Sequence, residues 1–166
     1  PAVTEINVWA LGYQTNSENH MVKIDSVKIK GDSGSAAETY ANTYGFTFVP
    51  VYITGEHGDC RWTYETASKT LIISGIGAMS DSFGSSSAPW HNYAENIEYL
   101  TIKNGVTHLG SYAFNDLYNL KTIWLGRDIN NNGNYGSPFP YNADITSITF
   151  AEGLTEIPTY LFYSQE

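Results

Sequence analysis

Three stretches decide how this chain folds: Ile97-Glu98-Tyr99-Leu100-Thr101-Ile102, Leu120-Lys121-Thr122-Ile123-Trp124-Leu125 and Ile145-Thr146-Ser147-Ile148-Thr149-Phe150. Each reads apolar-x-x-apolar-x-apolar. Nine residues after each opener stands another apolar residue (Val106, Ile129, Leu154), and fifteen after it a tyrosine (Tyr112, Tyr135, Tyr160). Phe114 and Phe162 follow at seventeen, while the middle copy carries Phe139 two places later because that copy is longer. The period is 23 and then 25 residues. Self-similarity at this spacing is the mark of a solenoid, in which one unit cannot bury its own apolar face and neighbours share a continuous core. Each unit predicts a short strand, a turn at Gly105, Asp128 or Gly153, and a return segment with aromatic anchors. The opener and the residues three and five later are expected inside; those two and four later point out.

Upstream, Arg61–Tyr64 and Thr70–Ser74 are β-rich runs around a polar stretch and predict a hairpin, which would cover the first repeat's strand edge. The earlier residues have a different grammar. Ile6–Gly12 and Val22–Ile29 read as strands. Ser35-Ala36-Ala37-Glu38 reads as a capping box opening a helix that stops at Gly45. Phe46–Tyr52 reads as an edge strand containing Pro50, and residues 54–59 as a linker. The expected organisation is an α+β segment at 1–54, an N-terminal hairpin cap at 55–96 and three repeats at 97–166.

These residues also carry a family resemblance. Trp62, Leu71–Met79 and Ala88-Pro89-Trp90, followed by Gly105-Val106-Thr107 and Gly110–Phe114, resemble the start of a BspA-type leucine-rich repeat array. Lys28–Val49, centred on Gly34-Ser35-Ala36-Ala37-Glu38-Thr39-Tyr40-Ala41, is similar to the piece that closes such arrays. The resemblance implies a mainly β solenoid with a short helix, from a bacterial surface or secreted protein that takes part in adhesion and binding of host matrix proteins. Two departures stand out. Cys60 lies beside the tryptophan strand rather than a few residues before it, and Asn130–Asn134 replaces an expected Ile-Gly pair.

Composition narrows the function. The chain has 166 residues, 42% hydrophobic and 14% aromatic, enough for a packed core. Eight Lys+Arg against seventeen Asp+Glu give a net charge of −9, which argues against a nucleic-acid partner. One cysteine allows no internal disulfide, and the four histidines (His20, His57, His91, His108) show no ligand spacing, so no metal site is expected and all four read as surface or turn residues. Gly75-Ile76-Gly77 has no third glycine and no P-loop lysine, so no nucleotide cofactor is implied. No apolar run approaches the ~18 residues of a membrane span. Without a starting Met or a closing element, the chain reads as a segment of a longer protein. The open third repeat is expected to be covered by the N-terminal segment of a neighbouring copy.

The informative surface is the outward face of the repeat strands: Tyr99, Thr122 and Ser147 in one column, Thr101, Trp124 and Thr149 in the other. Threonine and serine suit any exposed sheet. Tyr99 and Trp124 have two readings, as anchors of a binding face or as side chains packed on each other or a nearby loop. A protein partner is the first expectation, a glycan stacking on the two aromatics the alternative, and a spacer role the third. Gly31-Asp32-Ser33-Gly34 matches the string around a trypsin-like nucleophile, but only His20 precedes it and the string also serves as the turn before the Ser35-capped helix. Ser33→Ala is therefore expected to change no measured activity, and mass spectrometry after treatment with a serine-directed inhibitor should show no adduct at Ser33.

Overall fold

The structure is a computed structural model that describes residues 3–83, 87–130, 136–141, 143–159 and 161–162. Tyr135, Tyr160 and the interruption over 131–134 lie outside the described residues. The chain forms two compact units, Pro1–Ile53 and Thr54–Glu166.

In the first unit, β1 (Tyr13–Thr15) and β2 (Met21–Lys23) form an antiparallel hairpin. The Asn16 carboxamide closes its turn, accepting from the amides of Glu18 at 3.0 Å and His20 at 2.9 Å. The strand expected at Ile6–Gly12 is absent. Trp9 and Gly12 adopt positive φ (65° and 76°), and the Tyr40 hydroxyl accepts from the Leu11 N–H and donates to its carbonyl. The expected strand Val22–Ile29 is split by a turn closed from Val27 N–H to Ile24 C=O, so β3 is Lys28–Gly31.

Helix α1 (Ala36–Tyr44) begins and ends where its caps dictate. Ser35 Oγ accepts from the Glu38 N–H at 3.4 Å, and the Glu38 carboxylate accepts from the Gly34 N–H at 2.6 Å. Gly45, at φ 71°, supplies the left-handed stop. β4 (Thr47–Pro50) then runs parallel to β3 with Ile29 opposite Phe48. Ile29, Tyr40, Ala41 and Phe46 form the core of this unit, joined by Tyr13, Val27 and Phe48.

The segment read as a linker is a strand. β5 (Tyr52–His57) is one of the two outer members of a six-stranded sheet and pairs with the strand that follows it in the chain. Gly55 gives the stretch its linker-like composition, yet a Cβ there would stand 2.5 Å from Trp62 Nε1. Its glycine makes room for an indole rather than for flexibility. β6 (Cys60–Glu65) and β7 (Thr70–Gly75) form the antiparallel hairpin. β7 runs parallel to β9 (Tyr99–Ile102), which pairs with β11 (Thr122–Leu125) and that with β12 (Ser147–Phe150). Two short parallel strands, β8 (Gly77–Ala78) and β10 (Val106–His108), line the next turn of the coil. A 3-10 helix at His91–Asn96 leads into β9.

Ile97, Leu100, Ile102, Leu120, Ile123 and Leu125 are each at most 2% exposed, as the alternation requires. The third repeat differs. Ile148 is 36% exposed, and Ile145 and Phe150 are only partly covered. The alternation is intact there, but among the described residues β12 has a neighbour on one side only.

Beneath the strands an aromatic column ties successive units together. Trp90 stacks on Phe114 (centroids 5.4 Å), Phe114 on Phe139 (5.6 Å) and Phe139 on Phe162 (5.0 Å). The two-residue displacement of Phe139 in sequence thus vanishes in space. At the strand starts, Glu98 bridges Lys69 and Lys121, the latter at 2.6 Å, joining three consecutive strand entries.

Two measurements check this account. Phe114→Ala and Phe139→Ala, both at fully buried positions, should each cost about 3–5 kcal/mol in denaturant unfolding, and Phe162→Ala, half-buried at the column's end, clearly less. The hydrogen bonds and charges of Lys121 and Lys69 hold the Glu98 carboxyl at about 2, below its ordinary 4.5. A depressed carboxylate stabilises the fold above its unfolded value, and that contribution disappears as pH falls from 4.5 towards 2. Glu98→Gln should flatten the acid limb of the melting-temperature profile in that window, with the difference shrinking in high salt.

Candidate functional site

Parallel pairing puts the outward side chains in straight rows. Tyr99 faces Thr122, which faces Ser147; Thr101 faces Trp124, which faces Thr149. The six residues singled out in the sequence therefore share one face and lie in register. The rows also continue into the hairpin. Thr70 and Glu65 extend the Tyr99 row, and Ile72 and Thr63 extend the Trp124 row. Five strands at ~4.8 Å spacing make each row about 19 Å long. Arg61, Thr63 and Glu65 are outward residues by the alternation that puts Cys60, Trp62 and Tyr64 inside; the hairpin's place at the first repeat's edge is legible in the sequence, and the structure adds the register by which both rows run on into it.

The two aromatics are not equivalent. Tyr99 is 40% exposed, whereas Trp124 is half-buried. No ring contact joins Trp124 to Tyr99 among the described residues, so mutual stacking does not account for either. Ile72, half-exposed beside Thr101, adds a third apolar side chain. Cations cluster along this sheet despite the acidic composition. Arg61 lies on the face, donating to Thr54 Oγ1 at 3.4 Å, and Lys69 and Lys121 flank the strand starts. Lys103 and Arg127 follow the ends of β9 and β11.

Other chemistry-bearing residues are accounted for structurally. Ser33 is exposed in the turn before α1, and His20 pairs with Glu18 at 3.7 Å. Cys60 is fully buried; it donates to the Gly77 carbonyl at 3.7 Å, and burial raises its pKa. Three of the four histidines are half-buried rather than simply on the surface. His57 lies edge-on to Trp90 at 5.1 Å, and its burial lowers its pKa. His91 Nδ1 lies 2.7 Å from Asp116 Oδ2, beside a crevice of about 430 Å³ that also takes in Glu95 and Tyr118. Among the described residues no serine, threonine or cysteine lines that crevice, and its one hydroxyl is the Tyr118 phenol. Among the described residues no group of histidine, cysteine and carboxylate side chains could hold a metal ion, and no helix is long and apolar enough to cross a membrane.

Comparison with known proteins agrees with this geometry. Residues 88–166 match the family described as BspA type leucine rich repeat region (6 copies). The chain is similar in fold to a leucine-rich repeat protein from Eubacterium ventriosum ATCC 27560, with a TM-score of 0.52 and 23% identity. That likeness covers 62% of this chain and 27% of the other, so the chain spans about a quarter of its solved relative. No curated protein matches it. The repeat region of this chain, residues 88–166, belongs to the BspA-type leucine-rich repeat family.

Proposed function

We propose that the outward face of the repeat sheet is a non-catalytic recognition surface for a protein partner, carried by a secreted or surface-exposed bacterial protein with a role in adhesion. The observation that supports this most is the in-register placement of Tyr99 and Trp124 on one continuous, mostly Thr/Ser face. Rigid aromatic side chains on a flat scaffold give large contact area at low entropic cost. Ile72 adds an apolar contact within the Trp124 row, and Arg61, Lys69 and Lys121 add charged contacts beside the two rows. The family's membership supports a binding role in general terms; the partner and the location belong to this proposal.

A second reading uses the same residues. Tyr99 and Trp124 could stack on sugar rings, as in an accessory module of a glycan-degrading system, with the threonines supplying hydroxyl contacts. A spacer that only presents other domains would bind nothing through this face.

One experiment separates the three. The purified chain is presented to a panel of immobilised matrix proteins and, in parallel, to a glycan array, with Trp124 read as the part of the tryptophan-fluorescence change that Trp124→Phe removes, since three other tryptophans also emit. Binding to protein and not to glycans is expected. The double variant Tyr99→Ala/Trp124→Ala should lose at least about tenfold in affinity while its melting temperature stays within a few degrees. Glycan binding lost in the double variant would replace the first reading with the second, and no binding anywhere would leave the spacer. Early melting of the double variant would show that the two aromatics are core.

A further inference from the structure

All five Lys and Arg residues of the second unit, Arg61, Lys69, Lys103, Lys121 and Arg127, lie on or beside the strands of the sheet, in a unit that also carries twelve Asp and Glu. They are not equivalent. At the strand starts, Lys69 and Lys121 are both held by Glu98, so that margin of the face is a closed ladder of ion pairs. Arg127, beyond the end of β11, lies against Gly153 with its Nε 3.9 Å from Asp128, and lines a crevice with Leu154 and Glu156.

Arg61 and Lys103 make up the opposite margin. Arg61 is the partner of Ser74 across the hairpin. Lys103 follows Ile102 on β9, and its N–H donates to the Ile73 carbonyl at 2.8 Å, which continues the β7–β9 register and sets Lys103 beside Ser74. These residues form a third row, Arg61–Ser74–Lys103, next to the Trp124 row. Two strand spacings put the cations about 10 Å apart. The following strand adds Gly126, where a Cβ would stand 2.6 Å from the Lys103 carbonyl oxygen, so no side chain screens the ammonium on that side. Both cations are exposed, and neither forms an ion pair among the described residues. Arg61 donates to the uncharged Thr54 Oγ1 at 3.4 Å. Nearby carboxylates are otherwise placed: Glu98 is shared by its lysines, Glu65 accepts from Ser68 Oγ at 2.9 Å, and Glu56 on β5 makes no ion pair with Arg61.

Unpaired cations beside Ile72 and Trp124 select for a ligand that brings anionic groups and apolar side chains together. A sulfated or uronic polysaccharide does not meet this demand, because it carries charge along its whole length and faces two unpaired cations on a chain of net charge −9. An extended polypeptide does. At about 3.3 Å per residue, six residues cover the roughly 19 Å of a row, and carboxylates three residues apart span about 10 Å.

We propose that the partner segment taken by the sheet face is an acidic and apolar stretch of polypeptide, whose carboxylates bind Arg61 and Lys103 while its apolar side chains pack on Ile72 and Trp124. This rests on the recognition role proposed above and adds the chemistry of what is recognised. Lys69 and Lys121, already shared by Glu98, do not set the preference.

The probe is a displayed library of random peptides of about twelve residues, panned on the immobilised 166-residue chain with the Tyr99→Ala/Trp124→Ala chain for counter-selection. Enrichment of Asp and Glu together with Leu, Phe or Tyr is expected. The most enriched peptide, synthesised with a fluorescent label, is then titrated by anisotropy. Arg61→Glu/Lys103→Glu should weaken its binding about tenfold or more. Lys28→Glu/Lys30→Glu, with the same change in net charge, should stay within about twofold of the unaltered chain. Replacing the peptide's carboxylates by Lys should restore binding to Arg61→Glu/Lys103→Glu, and heparin should not displace the peptide. Circular dichroism and melting establish that each variant is folded; Arg61→Gln/Lys103→Gln, which removes charge without repulsion, should show a smaller loss of the same sign. Enrichment of neutral or basic peptides, no enrichment at all, equal losses in the two charge-reversed chains, or displacement by heparin would each overturn the inference. If matrix-protein binding that Tyr99→Ala/Trp124→Ala removes is still present in that event, the recognition role stands and only its acidic partner falls.

Discussion

No repeat of this chain can close its own core, and the rest of the structure follows from that constraint. Leu100 is sealed because Leu71 and Ile123 lie in register on either side of it, and Phe114 because Trp90 and Phe139 stack on its two faces. Burial is therefore a property of neighbours rather than of the residue. The same type of position is 1% exposed at Leu100, 2% at Ile123 and 36% at Ile148, tracking how many strands flank it. The hairpin β6–β7 serves the opposite side, where β7 gives β9 its parallel partner and Trp90 gives the aromatic column its first ring.

This shared core also makes the candidate binding face regular. A parallel, in-register sheet repeats its inward positions from strand to strand, so the outward ones line up without further design. Tyr99 and Trp124 occupy positions that the core does not need, and the physical question they pose is what covers them. The distribution of charge bears on the answer. The chain is acidic as a whole, yet Arg61, Lys69, Lys103, Lys121 and Arg127 all lie on or beside the strands of this sheet. Glu98 engages two of them at once and thereby staples the strand entries below the Tyr99 row.

Much of this architecture is legible before any coordinates, for identifiable reasons. The repeat shows because three copies carry the same apolar positions, and α1 shows because Ser35, Glu38 and Gly45 are local signals that act within a few residues. Local composition misleads where a distant side chain overrides it. Gly55 suggests a linker until Trp62 is found against it, and Ile6–Gly12 suggests a strand until the Tyr40 hydroxyl is found holding Leu11.

The sequence by itself determined the repeat period, the inward and outward columns and the caps of α1, because each depends on spacings along the chain. Only the tertiary structure decided that the hairpin lengthens the candidate face to five strands and that Trp124 is half-buried while Tyr99 is not. Those properties depend on which strands lie side by side, and side-by-side placement follows from how all the units bury one another's apolar surface together.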